Sequence, residues 1–324
     1  MTQVHGGRRR TASVPDLVSR ARDGQLAAVA RLVSLVEDES PLLREVMVAL
    51  APHAGHAHLL GLTGSPGVGK STTTNALVGE WRRRGLTVAV LAVDPSSPFS
   101  GGALLGDRIR MTDHATDPGV FIRSMASRGH LGGLSAATPQ AVRVLDAAGF
   151  DVVVVETVGV GQSEVEIAAL ADTTAVLLAP GLGDGIQAAK AGVLEVGDLY
   201  VVNKADREGA DVVRRELRTM LSLSQRPEGS WDRPVLKAVA RSGEGVAEVV
   251  DALEAHRAHL VESGELRRRR VRRAEREIEA LATTLLRRRW GTVAGTVNLT
   301  DLAAAVVDGR SDPHSAADLL LAEG

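Results

Sequence analysis

The run Gly64-Ser-Pro-Gly-Val-Gly-Lys-Ser-Thr72 has the residue types and spacing to hold phosphate. It fits G-x-x-x-x-G-K-[ST] as Gly64, Gly69, Lys70 and Ser71. Glycines so placed let consecutive backbone N–H groups turn inward on β- and γ-phosphates, and a helix starting at once adds the positive end of its dipole. Gly64, Ser65, Pro66, Gly67, Val68 and Gly69 would form the cradle, with Lys70 on the β/γ oxygens, the Ser71 hydroxyl on Mg²⁺ and Thr72 closing the motif. Two later apolar runs end in carboxylates, at Asp94 and at Glu156. Asp94 would lie at the carboxyl end of a strand beside the cradle, where ligands of open α/β sheets bind, and Glu156 would hold Mg²⁺ through its water shell. Thr157-Val-Gly-Val-Gly161 then resembles a γ-phosphate sensor in which Gly159 offers its N–H. Asn203-Lys204-Ala205-Asp206 is an N-K-x-D run. The Asp206 carboxylate can accept from guanine N1–H and the 2-amino group, which adenine cannot supply. Asn203 would tie this loop to the cradle and the Lys204 stem would cover the base. Val239-Ala240-Arg241 would bring a backbone N–H to guanine O6.

These residues need strands to carry them. Leu59–Thr63 is a short apolar run before the cradle, and 73–84 reads as a helix stopping at Gly85. Further strands are expected at 87–93, 121–125, 151–156, 173–179, 199–202 and 235–236, with a helix over 138–148. Strands alternating with helices predict a parallel α/β sheet whose ligand sits at the carboxyl ends. Two helical patterns in 14–50 predict a helical N-terminal piece. Pro52-His-Ala-Gly-His-Ala-His58 reads as a linker into the first strand, and its three histidines are a candidate metal group. From Arg267 a long helix runs to about Trp290, with Val271, Ala274, Ile278, Leu281 and Leu285 in steps of three and four. Such a seam predicts self-association, with packing onto its own domain as the alternative. Short helices are expected at 301–308 and 315–322. The division expected is 1–58 tail and N-terminal helices, 59–263 nucleotide domain and 264–324 helical arm.

The 324 residues carry a net charge of −2, which gives no electrostatic case for nucleic acid or membrane binding. Cysteine is absent, so disulfides, thiolate metal sites and cysteine nucleophiles are excluded. No apolar run approaches the ~20 residues of a membrane span. The N-terminal Arg8-Arg9-Arg10 is followed by no apolar stretch, so a secretory signal is not expected and the compartment expected is the cytoplasm.

Val93-Asp-Pro-Ser-Ser-Pro-Phe99, Leu105-Gly-Asp107, Leu131-Gly-Gly133, Glu156-Thr-Val-Gly-Val-Gly-Gln-Ser-Glu164 and Asn203-Lys-Ala-Asp206 together resemble the MeaB/ArgK family of P-loop GTPases. The resemblance covers about residues 20–324. It implies an α/β P-loop NTPase of the SIMIBI type with helical extensions at both ends. It also implies GTP hydrolysis to GDP with Mg²⁺, and a homodimer that gates cofactor delivery to, and protects, adenosylcobalamin-dependent methylmalonyl-CoA mutase. By that likeness Asp94, Asp107 and Glu156 join Ser71 around Mg²⁺, and Asp94 or Asp107 orders the attacking water. Val239 departs from the usual Ser or Thr, which removes a hydroxyl but leaves the backbone donor.

Two other functions compete. A nickel-inserting metallochaperone GTPase would use His53, His56 and His58. A transport-linked ATP-dependent kinase fits poorly with Asn203–Asp206.

Overall fold

The computed structural model describes residues 13–94, 113–126, 137–157, 163–181, 194–223, 229–293 and 299–322. It divides into two compact units, 1–267 and 268–324.

In the first unit, apolar runs rich in Val, Leu and Ala form β1 (His58–Thr63), β2 (Val88–Asp94), β3 (Val120–Ala126), β4 (Val152–Thr157), β5 (Thr173–Leu178), β6 (Leu199–Val202) and β7 (Val235–Lys237). They lie in the order β3-β2-β4-β1-β5-β6-β7, and every neighbouring pair is parallel. Parallel strands need crossovers, and helices supply them on both faces, which is why these strands read as unbroken apolar runs. β1 begins one residue earlier than the sequence suggests, at His58, because that imidazole is buried and bonded to Thr173 Oγ1 at 2.7 Å.

Alternate side chains along the strands feed two cores. Leu59, Leu91, Phe121, Val153 and Val155 pack under α1 (Val14–Arg22), α2 (Leu26–Glu37), α3 (Leu43–Leu50), α5 (Thr138–Ala147) and α6 (Ser163–Leu170). Leu60, Leu62, Val90, Val154 and Val201 pack under α4 (Lys70–Arg83) and α9 (Val246–Glu262). A smaller cluster of Val176, Leu178, Tyr200 and Val202 lies against α8 (Ala210–Ser222), after a single turn, α7 (Leu194–Val196). Burying Trp81 or Leu32 in these cores contributes about 2–3 kcal/mol each.

The N-terminal segment holds three helices rather than the two patterns expected. Ser13 caps α1 by accepting from Asp16 N–H, and Pro15 starts it. α2 buries Val29, Leu32, Val33 and Val36, the positions its spacing marks out. Arg123 on β3 pairs with Glu37 at the end of α2, which fastens this segment to the edge of the sheet. On the opposite face Arg82 grips Asp117 with two N–H groups, Nε at 2.8 Å and Nη2 at 2.9 Å. That hydrogen-bonded pairing, with the Gly119 N–H, holds the Asp117 carboxyl below its ordinary range.

The second unit contains most of α10 (Glu265–Val293), then α11 (Leu299–Val307) and α12 (Pro313–Ala322). Its seam residues Val271, Ile278, Leu281 and Leu285 are exposed, Ile278 to 67% and Leu285 to 63%. Among the described residues no helix is long and apolar enough to cross a membrane.

Candidate active site

The strand order turns back on itself around β1, which lies between β4 and β5. Ligands of open α/β sheets bind at the carboxyl ends of strands at such a point. Here the chain leaves β1 at Thr63, passes through 64–69 and enters α4 at Lys70.

Two of the glycines are dictated by their surroundings. Gly64 has φ 141°, and a Cβ there would overlap the backbone oxygen of Leu177 on β5. Gly69 caps α4 in a left-handed conformation, φ 97°, and its Cβ would lie 2.5 Å from Asn203 Nδ2. Both positions therefore exclude a side chain by sterics as well as by backbone angle. Lys70 is buried, and its Nζ donates to the carbonyls of Gly64 at 2.7 Å and Ser65 at 3.2 Å. The ammonium is thus held over the cradle. Val68 is anchored in the core below, whereas Pro66, Gly67 and Thr72 are exposed.

Glu156, at the end of β4, is 4% exposed. Its Oε1 accepts from Ser71 Oγ and its Oε2 from Thr74 Oγ1, both at 2.7 Å. One helical turn separates the two hydroxyls, so both face the same carboxylate. Two strong donors make it tolerable to bury this acid. Thr74 is a partner that sequence reasoning missed. A buried strand-end acid needs more than one donor, and a Ser-Thr-Thr-Thr run offers the second. Thr63 and Thr157 end β1 and β4 with buried hydroxyls that have no partner among the described residues. The donor set here is oxygen alone, from hydroxyl and carboxylate, which suits a hard cation such as Mg²⁺.

Glu164, in the first turn of α6, closes the motif run that begins at Glu156 but carries no expected role of its own. Burial pushes its carboxyl up, and the charge of Lys70 partly offsets that. Asp94 ends β2, next to β4 in a register pairing Ala92 with Glu156. Its side chain, together with Asp107 and Gly159, lies outside the described residues.

The third group meets the cradle from the far side. Asn203, 3% exposed at the end of β6, donates Nδ2 to Val68 O at 2.8 Å and accepts from Ala240 N–H at 3.1 Å. Lys204 stands at φ 56°, and its Nζ reaches Gly67 O at 2.7 Å. Asp206 is exposed and makes no hydrogen bond among the described residues, while the loop around it is fixed by Ala205 N–H to Ala238 O and Arg207 N–H to Lys204 O. Val239, Ala240 and Arg241 form a tight turn closed by Val239 N–H to Glu244 O, with Arg241 exposed. Three segments far apart in sequence thus converge on one edge of the cradle.

The three histidines do not converge. His58 is bonded within the sheet to Thr173, which in turn meets His256 Nδ1 at 2.8 Å. Among the described residues no group of three His, Cys, Asp or Glu side chains could hold a metal ion.

The model of a family described as "Methylmalonyl Co-A mutase-associated GTPase MeaB" matches residues 29–294. A protein of Pyrococcus horikoshii is 47% identical over 310 residues, 95% of this chain and 97% of that one. The mouse methylmalonic aciduria type A homolog, a mitochondrial protein, is 36% identical over 264 residues, 76% of this chain and 64% of that one. The crystal structure of an LAO/AO transport system kinase superposes with a TM-score of 0.71 at 29% identity, covering 96% of this chain and 97% of the other.

Proposed function

We propose, from the premise that this chain belongs to the family of methylmalonyl-CoA mutase-associated GTPases, MeaB, that it uses GTP hydrolysis to gate cofactor loading on an adenosylcobalamin-dependent methylmalonyl-CoA mutase and to protect that enzyme. The chain is a GTP hydrolase of the P-loop type by family. The observation that carries the mechanism is the Asn203 amide, which joins an N-K-x-D loop to the phosphate cradle.

In this reading the amides of 64–69 hold the β- and γ-phosphates and Lys70 neutralises their charge. Asp206 and the Ala240 region select guanine. Ser71 and Glu156 would hold Mg²⁺, with Asp94 and Asp107 as further acids. The ion, when bound, neutralises charge developing on the phosphate oxygens. Thr74 orients Glu156. Glu156→Gln should keep GTP binding yet lower Mg²⁺ affinity or turnover about 10–100-fold, the usual cost of an altered outer-shell ligand. A magnesium titration of GTPase rate checks this, and an unchanged midpoint and maximal rate would remove Glu156 from the metal's surroundings.

A dimer is proposed through the second unit. Among the described residues of this arm Ile278, Leu285 and Val307 are largely exposed, and a second copy could cover its seam.

The deciding experiment for the chaperone role is GTP hydrolysis with and without a purified methylmalonyl-CoA mutase. Intrinsic turnover should be slow, because Gln162 stands three residues after Gly159 and no Gln follows that glycine directly to position water. The mutase should accelerate it at least about ten-fold, well within what partners achieve by completing P-loop sites. A rate independent of the mutase, with no complex on size exclusion, would refute the partner while leaving the GTPase intact.

A further inference from the structure

At the opposite end of the sheet, where β1, β2 and β4 begin, lies an open cleft of about 500 Å³ lined in part by Arg22, His53, His56, Asp146, Phe150 and Arg257. That volume is in the range of small-molecule sites. Its charges are unevenly used. Asp146, in the last turn of α5, accepts from the backbone N–H groups of Gly55 (2.5 Å), His56 (2.9 Å) and Ala57 (2.8 Å). Asp151 accepts from both the N–H and the hydroxyl of Thr87, each at 2.8 Å. These carboxylates are occupied in fixing the turns that enter the strands. The cations are not. Arg22 has no hydrogen-bond or ion-pair partner among the described residues, and Arg257 uses one N–H, on the His56 carbonyl at 2.8 Å. The His53 and His56 rings likewise bond nothing among the described residues.

Unused guanidinium and imidazole N–H groups around one cleft call for an anion. Asp146 and Asp151 balance the formal charges of Arg22 and Arg257, and the C-terminal end of α5 adds about half a negative charge, so it is the unused N–H donors, not an excess of positive charge, that favour an anion here. Two forks and two rings offer more donors than one carboxylate can accept, whereas a phosphate monoester presents three oxygens and close to two charges. The cleft exceeds a bare phosphate, and Pro52, Ala148 and Phe150 give it an apolar wall.

We propose that this cleft is a second ligand site, separate from the nucleotide cradle, which binds a small phosphate-bearing molecule through Arg22 and Arg257. The inference is independent of the GTPase reading. It is tested by calorimetry on the full chain saturated with Mg²⁺ and GDP, so that the cradle is occupied, using ribose 5-phosphate, inorganic phosphate and ribose as probes. Ribose 5-phosphate should bind saturably and ribose should not. Arg22→Gln and Arg257→Gln should each weaken binding about ten-fold or more, the usual loss for a hydrogen bond to a charged group. Arg22→Gln breaks no bond within the described structure, so it reads the site without disturbing the fold. Equal affinity for inorganic phosphate would support the site with free phosphate as its ligand. Non-saturable heats, equal binding of ribose, or affinity unchanged in both variants would overturn it.

Discussion

Asp206→Asn should lower GTP affinity by about 10²–10³, the loss typical when a site built to hydrogen-bond one substrate is left mismatched. The carboxylate is the group proposed to accept from N1–H and the 2-amino group of guanine. An amide in its place keeps one acceptor and turns a donor toward the 2-amino group. The same change suits xanthosine triphosphate, whose 2-oxo group accepts from that amide, so affinity for it should rise. Asp206 bonds nothing else among the described residues, and the loop keeps its ties through Ala205 and Arg207, so the fold should stand. Competition binding of GTP, ATP and xanthosine triphosphate to both proteins measures the switch. Equal ATP and GTP affinity in the parent would sink the guanine reading at its root.

The second large effect is expected at Gly64. Gly64→Ala puts a methyl group onto the Leu177 carbonyl at a φ of 141° that alanine does not adopt. The obstacle is strand backbone, which cannot swing aside as a flexible side chain would. Backbone strain and overlap together should cost about 3–5 kcal/mol. In a unit of this size that is a fall in melting temperature of roughly 6–20 °C, accompanied by loss of measurable GTP binding. Gly85→Ala is the control. Gly85 is also left-handed, φ 82°, but a Cβ there meets nothing within 4 Å, so its cost should be only about 1 kcal/mol. Equal melting temperatures for the two variants would show that β5 yields and that the packing argument fails.

Much of this was legible because the informative signals are local. β1, β4 and β5 are apolar runs bounded by turn residues, and a parallel strand buried on both faces has no other composition open to it. The start of α4 is marked by Gly69-Lys70-Ser71, since a phosphate cradle requires a helix there. The parallel α/β fold and the family follow from these. What escaped are contacts made by residues without a motif. Thr74 reads as one more helix residue until β4 brings Glu156 against it across 82 positions. His58 looks like part of a histidine-rich linker, but register with β5 buries it against Thr173. Asp146 carries no signal at all, because its three acceptor bonds go to the backbone of a segment 89–91 residues earlier. The two helical patterns expected in 14–50 correspond to α2 and α3, whereas α1 spans only nine residues, too short a run of apolar spacing to stand out.

The Asn203 amide has both its ends engaged, one on Val68 and one on Ala240. Beside it, Lys204 reaches Gly67. The loop proposed to read the base and the loop proposed to grip phosphate therefore share a fulcrum. On the proposed reading, a purine that sits badly against 203–206 also tilts the carbonyls of 67 and 68, and so loosens the amides that follow them. Fidelity would then be enforced twice, first in occupancy and again in turnover. An ATP molecule forced into the site by sheer concentration should be cleaved more slowly than its residence implies. If hydrolysis times a hand-over, as proposed, that second filter would keep the wrong nucleotide from running the clock.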